Sequence, residues 1–269
     1  MPQVVQLSSE SPGITGGVVA RPPNVPHSSF NSLLFILLRG YNALRRSCLR
    51  RTSHCSGFSS GFKELAEIQE RALMPSDIDE HLELMFTEAL VCQPRTIVEL
   101  GVRGGTSTFV FERVANMCAA SFVSVDIDDC SSISSSPRWH FFQGDDVHFA
   151  SSFEKFCRQR NIISSVDLLF IDTSHYYDHT IQEIENWFPL LSPRAKVMFH
   201  DTNMRLVGPR KDGCFQLSWD NQRGVIRAIE EYTKISIDET KECVHFANGW
   251  MLRHRPNCNG FTILDRVSA

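Results

Sequence analysis

The sequence lacks any apolar run long enough to cross a lipid bilayer. Its longest uninterrupted apolar stretch is residues 33–38, whereas a transmembrane helix needs about 20 residues. The 269-residue chain also lacks a C-x-x-C pair, although it contains nine cysteines. Scattered cysteines, odd in number, argue against a disulfide framework and against a zinc knuckle. We therefore expect an intracellular, reducing compartment and no membrane span.

The first sixty residues lack lysine and contain a single acidic residue, Glu10, beside six arginines, five prolines and many serines. Such a segment buries too little apolar surface to order itself. An arginine-rich, serine-rich and acid-poor leader is typical of an organellar transit peptide; the alternatives are an untargeted leader or a start codon assigned too early. Residues 30–51 are also compatible with an amphipathic basic helix. We expect a disordered leader over residues 1–60 and one functional domain over 61–269. That domain would lie in the cytoplasm or, with a transit peptide, in a mitochondrion or plastid.

The chain as a whole lacks a strong charge of either sign. Its net charge is −4 and its charged fraction is 22%, so no nucleic-acid partner is indicated. An apolar content of 42% is ordinary for a globular protein. The length suffices for one α/β domain with extensions.

Residues 96–105, TIVELGVRGG, predict a buried strand that runs into a glycine turn and then a helix. The turn lacks the Gly-Lys-Ser/Thr ending of a phosphate loop. It also lacks a dinucleotide fingerprint, because Arg103 and Thr106 interrupt that spacing. Glu99, Gly101 and Gly105 instead form Glu-x-Gly-x-x-x-Gly, which resembles the first motif of class I S-adenosylmethionine-dependent methyltransferases. The resemblance implies that Glu99, Gly101, Arg103 and Gly105 contact S-adenosylmethionine.

Strand and helix patterns alternate from this turn onward, which predicts a doubly wound, mostly parallel α/β sheet with helices on both faces. The resemblance implies the seven-stranded, Rossmann-like methyltransferase fold. Ligands then bind at the carboxyl ends of the strands. The predicted strands are 96–100, 121–126, 139–143, 166–172, 196–200, 243–247 and 261–265, and the predicted helices are 61–73, 76–91, 107–117, 147–160, 178–191 and 222–233.

Acidic residues follow the second and third predicted strands. Asp126 is placed to accept the two ribose hydroxyls of a nucleoside cofactor, although an Asp after a strand is also a common turn residue. By resemblance, Gly144 and Asp145 contact the adenine ring. The neighbouring Asp146 is expected to be solvated or to cap a helix.

The fourth and fifth predicted strands end in a second set of polar residues. Asp172 and Asp201 are suited to hold a hard divalent cation, which would orient an acceptor hydroxyl and lower its pKa. His175 is a candidate general base. His200 is either a third metal ligand or a core histidine, and His179 is expected to face solvent.

The run from Val166 to Asn203 resembles one methyltransferase group more closely. FID-x-x-H-x-Y, a helix containing Trp187, LLSP at 190–193 and HDTN at 200–203 resemble the cephalosporin hydroxylase and rhamnosyl O-methyltransferase group. They are also similar to metal-dependent sugar and catechol O-methyltransferases. The resemblance implies magnesium binding at Asp172, His200 and Asp201; the relatives commonly have Glu where this chain has His200.

These patterns predict methyl transfer from S-adenosylmethionine to a hydroxyl of a small molecule, such as a sugar, glycoside or secondary metabolite. Residues 205–227 are expected to edge the acceptor cleft, as a specificity lid or as a solvated loop. One alternative is a degenerate domain that binds a nucleotide or a protein partner without catalysis. A lesser alternative is an NAD-type oxidoreductase. The acceptor is the expected partner, and the sequence is compatible with a homo-oligomer.

Removal of the leader should leave the domain intact. We predict that a chain beginning at Ser60 folds and keeps its cofactor affinity, and that limited proteolysis of the full chain cuts within residues 1–60 first. Circular dichroism and calorimetric titration of the shortened chain check this. A shortened chain that fails to fold would show instead that the leader belongs to the domain.

Overall fold

The computed structural model describes residues 29–52 and 62–267, and its centre is an eight-stranded sheet. The strands are β1 Thr96–Leu100, β2 Ser121–Asp126, β3 Trp139–Gln143, β4 Val166–Ile171, β5 Leu191–His200, β6 Val207–Pro209, β7 Phe215–Leu217, β8 Cys243–Ala247, β9 Trp250–Arg255 and β10 Phe261–Arg266. Of these, β6 and β7 form a separate two-stranded hairpin.

The strand order changes direction at β1, because β2 and β3 lie on one side of it and β4 and β5 lie on the other. The order is β3-β2-β1-β4-β5-β10-β9-β8. The neighbours from β3 to β5 pair in parallel, and those from β5 to β8 pair antiparallel. Because β2 and β4 flank β1 on opposite sides, the connections that follow β1 and β4 diverge. A crevice therefore opens at the carboxyl ends of these strands.

Helices cover both faces of the sheet, as the alternating pattern predicts. Ile97 and Val98 of β1 belong to different core clusters, because successive strand side chains point to opposite faces. The helices are α1 Ser29–Thr52, α2 Lys63–Ala72, α3 Leu82–Cys92, α4 Thr106–Cys118, α5 Asp146–Ala150, α6 Phe153–Gln159, α7 Tyr177–Trp187 and α8 Gly224–Thr233. The core cluster that contains Ile97 packs against α2, α3 and α4, and the cluster that contains Val98 packs against α5 to α8.

The doubly wound class is confirmed, but the number of strands is eight rather than seven. The additional strand of this sheet is β9, which pairs with β8 through a turn at Asn248 and Gly249; β6 and β7 of the separate hairpin were not predicted either. Both turn residues have positive φ, 52° and 77°. An Asn-Gly pair between two extended segments is a strong hairpin signal, so the sequence did contain the information for this strand.

Three predicted helices differ from the observed ones. The helix predicted over 178–191 ends at Trp187, and a 3₁₀ helix, Phe188–Leu190, leads from it into β5. The predicted helix over 76–91 is wrong in its first turns, because a short 3₁₀ helix, Asp79–His81, precedes α3. The predicted helix over 147–160 is divided into α5 and α6 by Ser151 and Ser152. Both hydroxyls bond back to backbone carbonyls three residues earlier, a local interaction that competes with a continuous helix.

Part of the predicted leader is a helix. Residues 29–52 form α1, so the expected disorder is wrong for this stretch and the helix considered over residues 30–51 is present; Leu33, Ile36 and Leu44 remain exposed on it. Asn42 of α1 donates to the backbone oxygen of Phe215 at 2.8 Å and accepts from its backbone nitrogen at 2.9 Å. These bonds attach α1 to the β6–β7 hairpin. The division of the chain near residue 60 stays a prediction, and residues 1–28 lie outside the described part.

A buried arginine fastens the segment before α3 to the hairpin. Arg210 donates to both carboxylate oxygens of Asp79, at 2.5 and 2.7 Å, and to the backbone oxygen of Ser76 at 3.0 Å. Its side chain is 3% exposed. The sequence placed Arg210 in a cleft-edging lid or a solvated loop, and for this residue that interpretation is wrong. A charged residue whose partner is distant in sequence looks solvated when only its sequence neighbours are considered.

Within the described ranges, no helix combines the length and the apolar composition that crossing a bilayer requires.

Loss of the Arg210 contact should destabilise the fold strongly. Arg210→Ala leaves Asp79 buried without its partner, and we expect a loss of about 3–5 kcal/mol of unfolding free energy. The matched control is Arg205→Ala, because Arg205 is half exposed and reaches Glu239 at 3.4 Å; its removal should change stability by about 0–1 kcal/mol. Urea unfolding of both variants measures the difference. Equal losses would contradict a structural role for Arg210.

Candidate active site

The glycine turn after β1 lies directly against the end of β4. Gly101 has φ +89°, and a Cβ added there would lie 2.0 Å from the backbone oxygen of Asp172. Any side chain at this position would therefore displace β4. Gly105 has φ +73°, and a Cβ there would meet the side chain of Ile133 at 2.4 Å. Both glycines are required by close approach and by backbone conformation.

Asp126 braces this turn. Its Oδ2 accepts from the backbone nitrogens of Val102 at 2.8 Å and Arg103 at 2.9 Å, and its Oδ1 accepts from Asp128 at 2.9 Å. The turn role is thus observed. A carboxylate offers about four acceptor positions, so the three bonds leave capacity for a ribose hydroxyl.

Glu99 is fully buried beneath the turn. Its Oε2 accepts from Ser124 at 2.6 Å and from Thr108 at 2.9 Å, which ties β1 to β2 and to the first turn of α4. Its Oε1 has no protein partner. Burial raises the pKa of Glu99 to about 7 despite the hydroxyl bonds. Glu99 Oε1 therefore remains as a buried acceptor for a ligand, and the carboxyl group can gain or lose a proton near neutral pH.

The remaining predicted cofactor residues occupy the same edge. The backbone nitrogen of Gly144 donates to the backbone oxygen of Asp126 at 2.8 Å, which brings the adenine-side turn beside the ribose-side acid. Asp145 caps α5 by accepting from the backbone nitrogen of His148 at 2.7 Å. Arg103 differs from the others, because its exposed guanidinium pairs with Asp77 at 2.6 Å.

Asp172, His175 and Asp201 converge at the ends of β4 and β5. One ligand atom from each lies within 4.8 Å of the other two. His175 Nδ1 lies 3.1 Å from Asp201 Oδ2 and 4.0 Å from Asp172 Oδ1. His175 and Asp201 both have left-handed backbone, with φ 62° and 56°. Non-glycine residues in this region are uncommon, and two of them face each other here.

His200 fills the inner side of this cluster and is almost completely buried. Its Nδ1 lies 3.3 Å from both Asp172 Oδ1 and Asp201 Oδ2. Its Nε2 lies 3.1 Å from the backbone oxygen of Asp77 and 3.2 Å from that of Cys258. Nε2 must carry a proton to donate to these two carbonyl oxygens, and Nδ1 is the nitrogen that faces the two carboxylates.

The charges of this cluster stabilise one another. Burial lowers the pKa of His200, but Asp201 and Asp172 outweigh it and hold that pKa well above its ordinary value. Burial conversely raises the pKa of Asp201, but His200 and His175 outweigh it and hold that pKa below its ordinary value. Asp201 Oδ1 nevertheless has no hydrogen-bond partner. The cluster thus keeps an ionised, incompletely satisfied carboxylate at the edge of the sheet.

Asp146 and His179 do not lie where the sequence suggested. Asp146 is buried rather than solvated, and it is the first residue of α5 rather than its cap. His179 does not simply face solvent, because its Nε2 lies 3.1 Å from Asp146 Oδ1. Helical spacing alone could not show this contact, since α5 and α7 meet only through tertiary packing.

A cleft of about 410 Å³ begins at Thr202, the residue that follows Asp201. Asn221, which lines it, donates to the backbone oxygen of Asp201 at 2.9 Å. Arg223 and Arg205 also line the cleft, and both pair with Glu239. The prediction that residues 205–227 edge a cleft therefore agrees with this geometry, although Arg210 is not part of it.

Trp219 is a site residue that sequence reasoning missed. Its ring centroid lies 6.0 Å from that of His175 and 5.5 Å from that of Tyr176. The signal was the aromatic residue just before Asp220-Asn221, in a segment otherwise treated as polar. Trp219 and Tyr176 form an apolar wall on the outer side of His175, which suits a ring-shaped acceptor.

Comparisons with known proteins agree with this fold. Residues 98–202 match a family model described as a methyltransferase domain. The uncharacterized protein y4gI of Sinorhizobium fredii is 36% identical over 127 residues, which are 43% of this chain and 14% of that protein. The chain thus spans about one seventh of that relative's length.

Two solved structures share the architecture. The methyltransferase PaMTH1 of Podospora anserina, solved with S-adenosylhomocysteine, aligns with 82% of this chain and 96% of its own at 15% identity and a TM-score of 0.50. An O-methyltransferase of Bacillus cereus, in complex with S-adenosylhomocysteine, aligns with 85% and 99% at 14% identity and the same TM-score. Identities this low show the fold. On the match over residues 98–202 and on this shared fold, the resemblance to class I methyltransferases is confirmed.

Proposed function

We propose that this chain transfers a methyl group from S-adenosylmethionine to a hydroxyl of a small molecule. The observation that carries the proposal is the contact at Gly101 between the glycine turn and the group of Asp172, His175 and Asp201, which we call the Asp172 cluster. A cofactor turn and a set of groups able to activate a hydroxyl lie side by side there. Transfer in line requires mainly that the two reactants are aligned and that water is excluded.

The residues around the turn fit S-adenosylmethionine. Gly101 and Gly105 leave a cradle without side chains, Asp126 has acceptor capacity for ribose, and Glu99 Oε1 lacks a partner. Gly144 and Asp145 would line the adenine side. The cofactor would supply an electrophilic methyl group. The bound S-adenosylhomocysteine of the two similar structures supports this choice of ligand.

Asp172, Asp201 and one imidazole fit a divalent cation. Two carboxylates suit magnesium, whereas an added nitrogen ligand favours manganese or another transition ion. Such a cation would lower the pKa of an acceptor hydroxyl. Of the two histidines, His175 is the better ligand or base, because His200 is enclosed by two carboxylates and two backbone carbonyls. The ligand role predicted for His200 stays a prediction.

His175 can remove the acceptor proton. If Nδ1 donates to Asp201 Oδ2, at the observed 3.1 Å, then Nε2 carries the lone pair that accepts a proton. The carboxylate would fix this tautomer and stabilise the imidazolium that forms. This histidine–carboxylate pair also gives a second candidate mechanism, in which the hydroxyl is activated without a metal.

The cleft beside Asp201 suits a polar acceptor with an apolar face. Asn221 and the paired Arg205 and Arg223 supply polar groups within the cleft. Trp219 packs against both His175 and Tyr176, so these two aromatic rings would supply the apolar face next to the base. A sugar, glycoside or aromatic secondary metabolite has this combination. A degenerate domain would bind the nucleotide but would not need Asp172, His175 and Asp201 to converge, so the convergence of these three groups favours catalysis over that alternative.

Cofactor binding should depend on Asp126. Asp126→Ala should weaken S-adenosylmethionine binding by roughly 1–3 kcal/mol, because ribose hydroxyls and two turn nitrogens lose their acceptor. Isothermal titration calorimetry measures the change. The matched control is Asp128→Ala, which removes an exposed acid two residues later and should leave affinity unchanged. Absence of binding to the unaltered chain would refute the proposed function.

Metal binding should depend on the acids of the Asp172 cluster. We expect Asp172→Asn to weaken manganese binding, measured by electron paramagnetic resonance, and to abolish methyl transfer while sparing cofactor binding, because Asp172 would hold the ion on the acceptor side and is separate from the ribose acceptor Asp126. Asp220→Asn, at an exposed acid on the cleft edge, is the control. Methyl transfer that survives exhaustive chelation would favour the metal-free pair.

The role of His175 can be separated from that of the acids. His175→Gln should lower the transfer rate by about 10²–10⁴-fold if His175 accepts the proton. Manganese affinity distinguishes the two roles: it stays the same if His175 is only a base and falls if His175 is a ligand. An unchanged transfer rate would remove His175 from the chemistry.

A further inference from the structure

A second cluster of metal-ligating side chains lies between α5 and α7, outside the Asp172 cluster. It consists of Asp146, the first residue of α5, with His179 and Glu183 of α7. One ligand atom from each lies within 4.8 Å of the others. His179 and Glu183 are four residues apart, a spacing that places two side chains on the same face of a helix.

The distances between these ligand atoms suit a small divalent ion. His179 Nε2 lies 3.1 Å from Asp146 Oδ1 and 3.6 Å from Glu183 Oε1. Metal–ligand bonds of about 2.1 Å in tetrahedral or octahedral geometry separate neighbouring ligand atoms by about 3.0–3.4 Å. Small side-chain adjustments therefore bring all three atoms to bonding distance.

Unsatisfied oxygens supply the second, independent observation. Asp146 is 7% exposed and Glu183 is fully buried, yet apart from the contact between the two carboxyls themselves neither Asp146 Oδ2 nor Glu183 Oε2 has a hydrogen-bond partner. Thr173 donates only to Glu183 Oε1, at 2.5 Å. Among the residues that the structure describes, no lysine or arginine pairs with either acid. Buried carboxyls in such surroundings are paired, protonated or metal-bound.

We propose that Asp146, His179 and Glu183 form a second cation site, which takes a first-row transition ion such as Zn²⁺ or Mn²⁺. The imidazole nitrogen favours such ions over magnesium, and the two carboxylates balance the charge of a divalent ion. No ligand is shared with the Asp172 cluster. The site therefore stands whether or not that cluster binds a cation.

An ion at this site would connect the two ends of the cofactor crevice. Asp146 follows the Gly144-Asp145 turn, and Thr173, which bonds Glu183, follows Asp172. The ion would hold α5 against α7 and so fix both turns. Its role would be to position the crevice, since none of its three ligands belongs to the Asp172 cluster.

Zinc titration of the full chain tests the proposal. After the chain is stripped with a chelating resin, Zn²⁺ uptake is followed by calorimetry and atomic emission. The parent for this test is Asp172→Asn/Asp201→Asn, which removes the first cluster and should still bind one Zn²⁺. His179→Gln or Glu183→Gln in this parent should weaken binding by more than about 100-fold, because loss of even an outer partner of a metal ligand weakens binding about 10–100-fold.

The control is His148→Gln in the same parent. His148 is 92% exposed and lies beside Asp145, so its loss should leave zinc binding unchanged. Circular dichroism confirms folding, and Glu183→Gln keeps an acceptor for Thr173. A measurement on the unaltered chain needs no variant: bound Zn²⁺ should protect His179, but not His148, from diethylpyrocarbonate, as read by mass spectrometry.

Three outcomes would overturn the proposal. The first is a parent that takes up no Zn²⁺, which would mean that Asp146 and Glu183 share a proton instead. The second is uptake that both His179→Gln and Glu183→Gln leave unchanged, which would place the ion elsewhere. The third is equal modification of His179 with and without Zn²⁺. Each result is independent of S-adenosylmethionine binding, so the proposed function is tested separately.

Discussion

The close approach of Gly101 to the end of β4 sets the geometry of the site. A Cβ at Gly101 would lie 2.0 Å from the Asp172 carbonyl oxygen, and the Asp172 nitrogen donates to Leu100 at 2.9 Å. The turn that fits the cofactor and the acid that fits the cation therefore share one backbone contact. Their relative position is held by the sheet itself, which is more rigid than a loop. Preorganisation of this kind is what alignment for methyl transfer requires.

Buried acids paired with histidines are the second organising feature. Each of the two clusters contains two carboxyl groups and at least one imidazole, and neither contains lysine or arginine among the described residues. An imidazole can balance a carboxylate as a cation or join it as a neutral metal ligand. A lysine or arginine in place of the imidazole would remain charged and could not act as a neutral metal ligand. Asp201, Asp146 and Glu183 each keep one buried oxygen that lacks a hydrogen-bond donor, so each cluster has an acceptor atom that a ligand could use.

The surroundings of His200 and Asp201 are assembled from segments that are distant in sequence. The turn before α3 contributes Asp77, whose backbone oxygen meets His200 and whose carboxylate meets Arg103. Arg210 fastens that turn to the β6–β7 hairpin, to which α1 is also attached. The hairpin is thus joined to this turn, and the turn is joined to the cofactor side through Arg103.

The sequence by itself determined the doubly wound class, the glycine turn and the strand-end acids. Strand periodicity, glycine spacing and the common edge of parallel strands are local or topological rules, so Gly101, Asp126 and Asp172 could be placed before any coordinates. Even β9 was recoverable, from Asn248 and Gly249.

Only the tertiary structure decided which polar groups are buried and which partners they have. Arg210 looked like a surface residue and is enclosed by Asp79 across 131 positions. Asp146 was expected to be solvated or to cap a helix and is buried against His179. His200 was expected to be a metal ligand or a core histidine, and only the packing shows that it is buried between two acids and two backbone carbonyls. The physical reason is that desolvation and pairing depend on the packing of distant elements, which no local periodicity encodes.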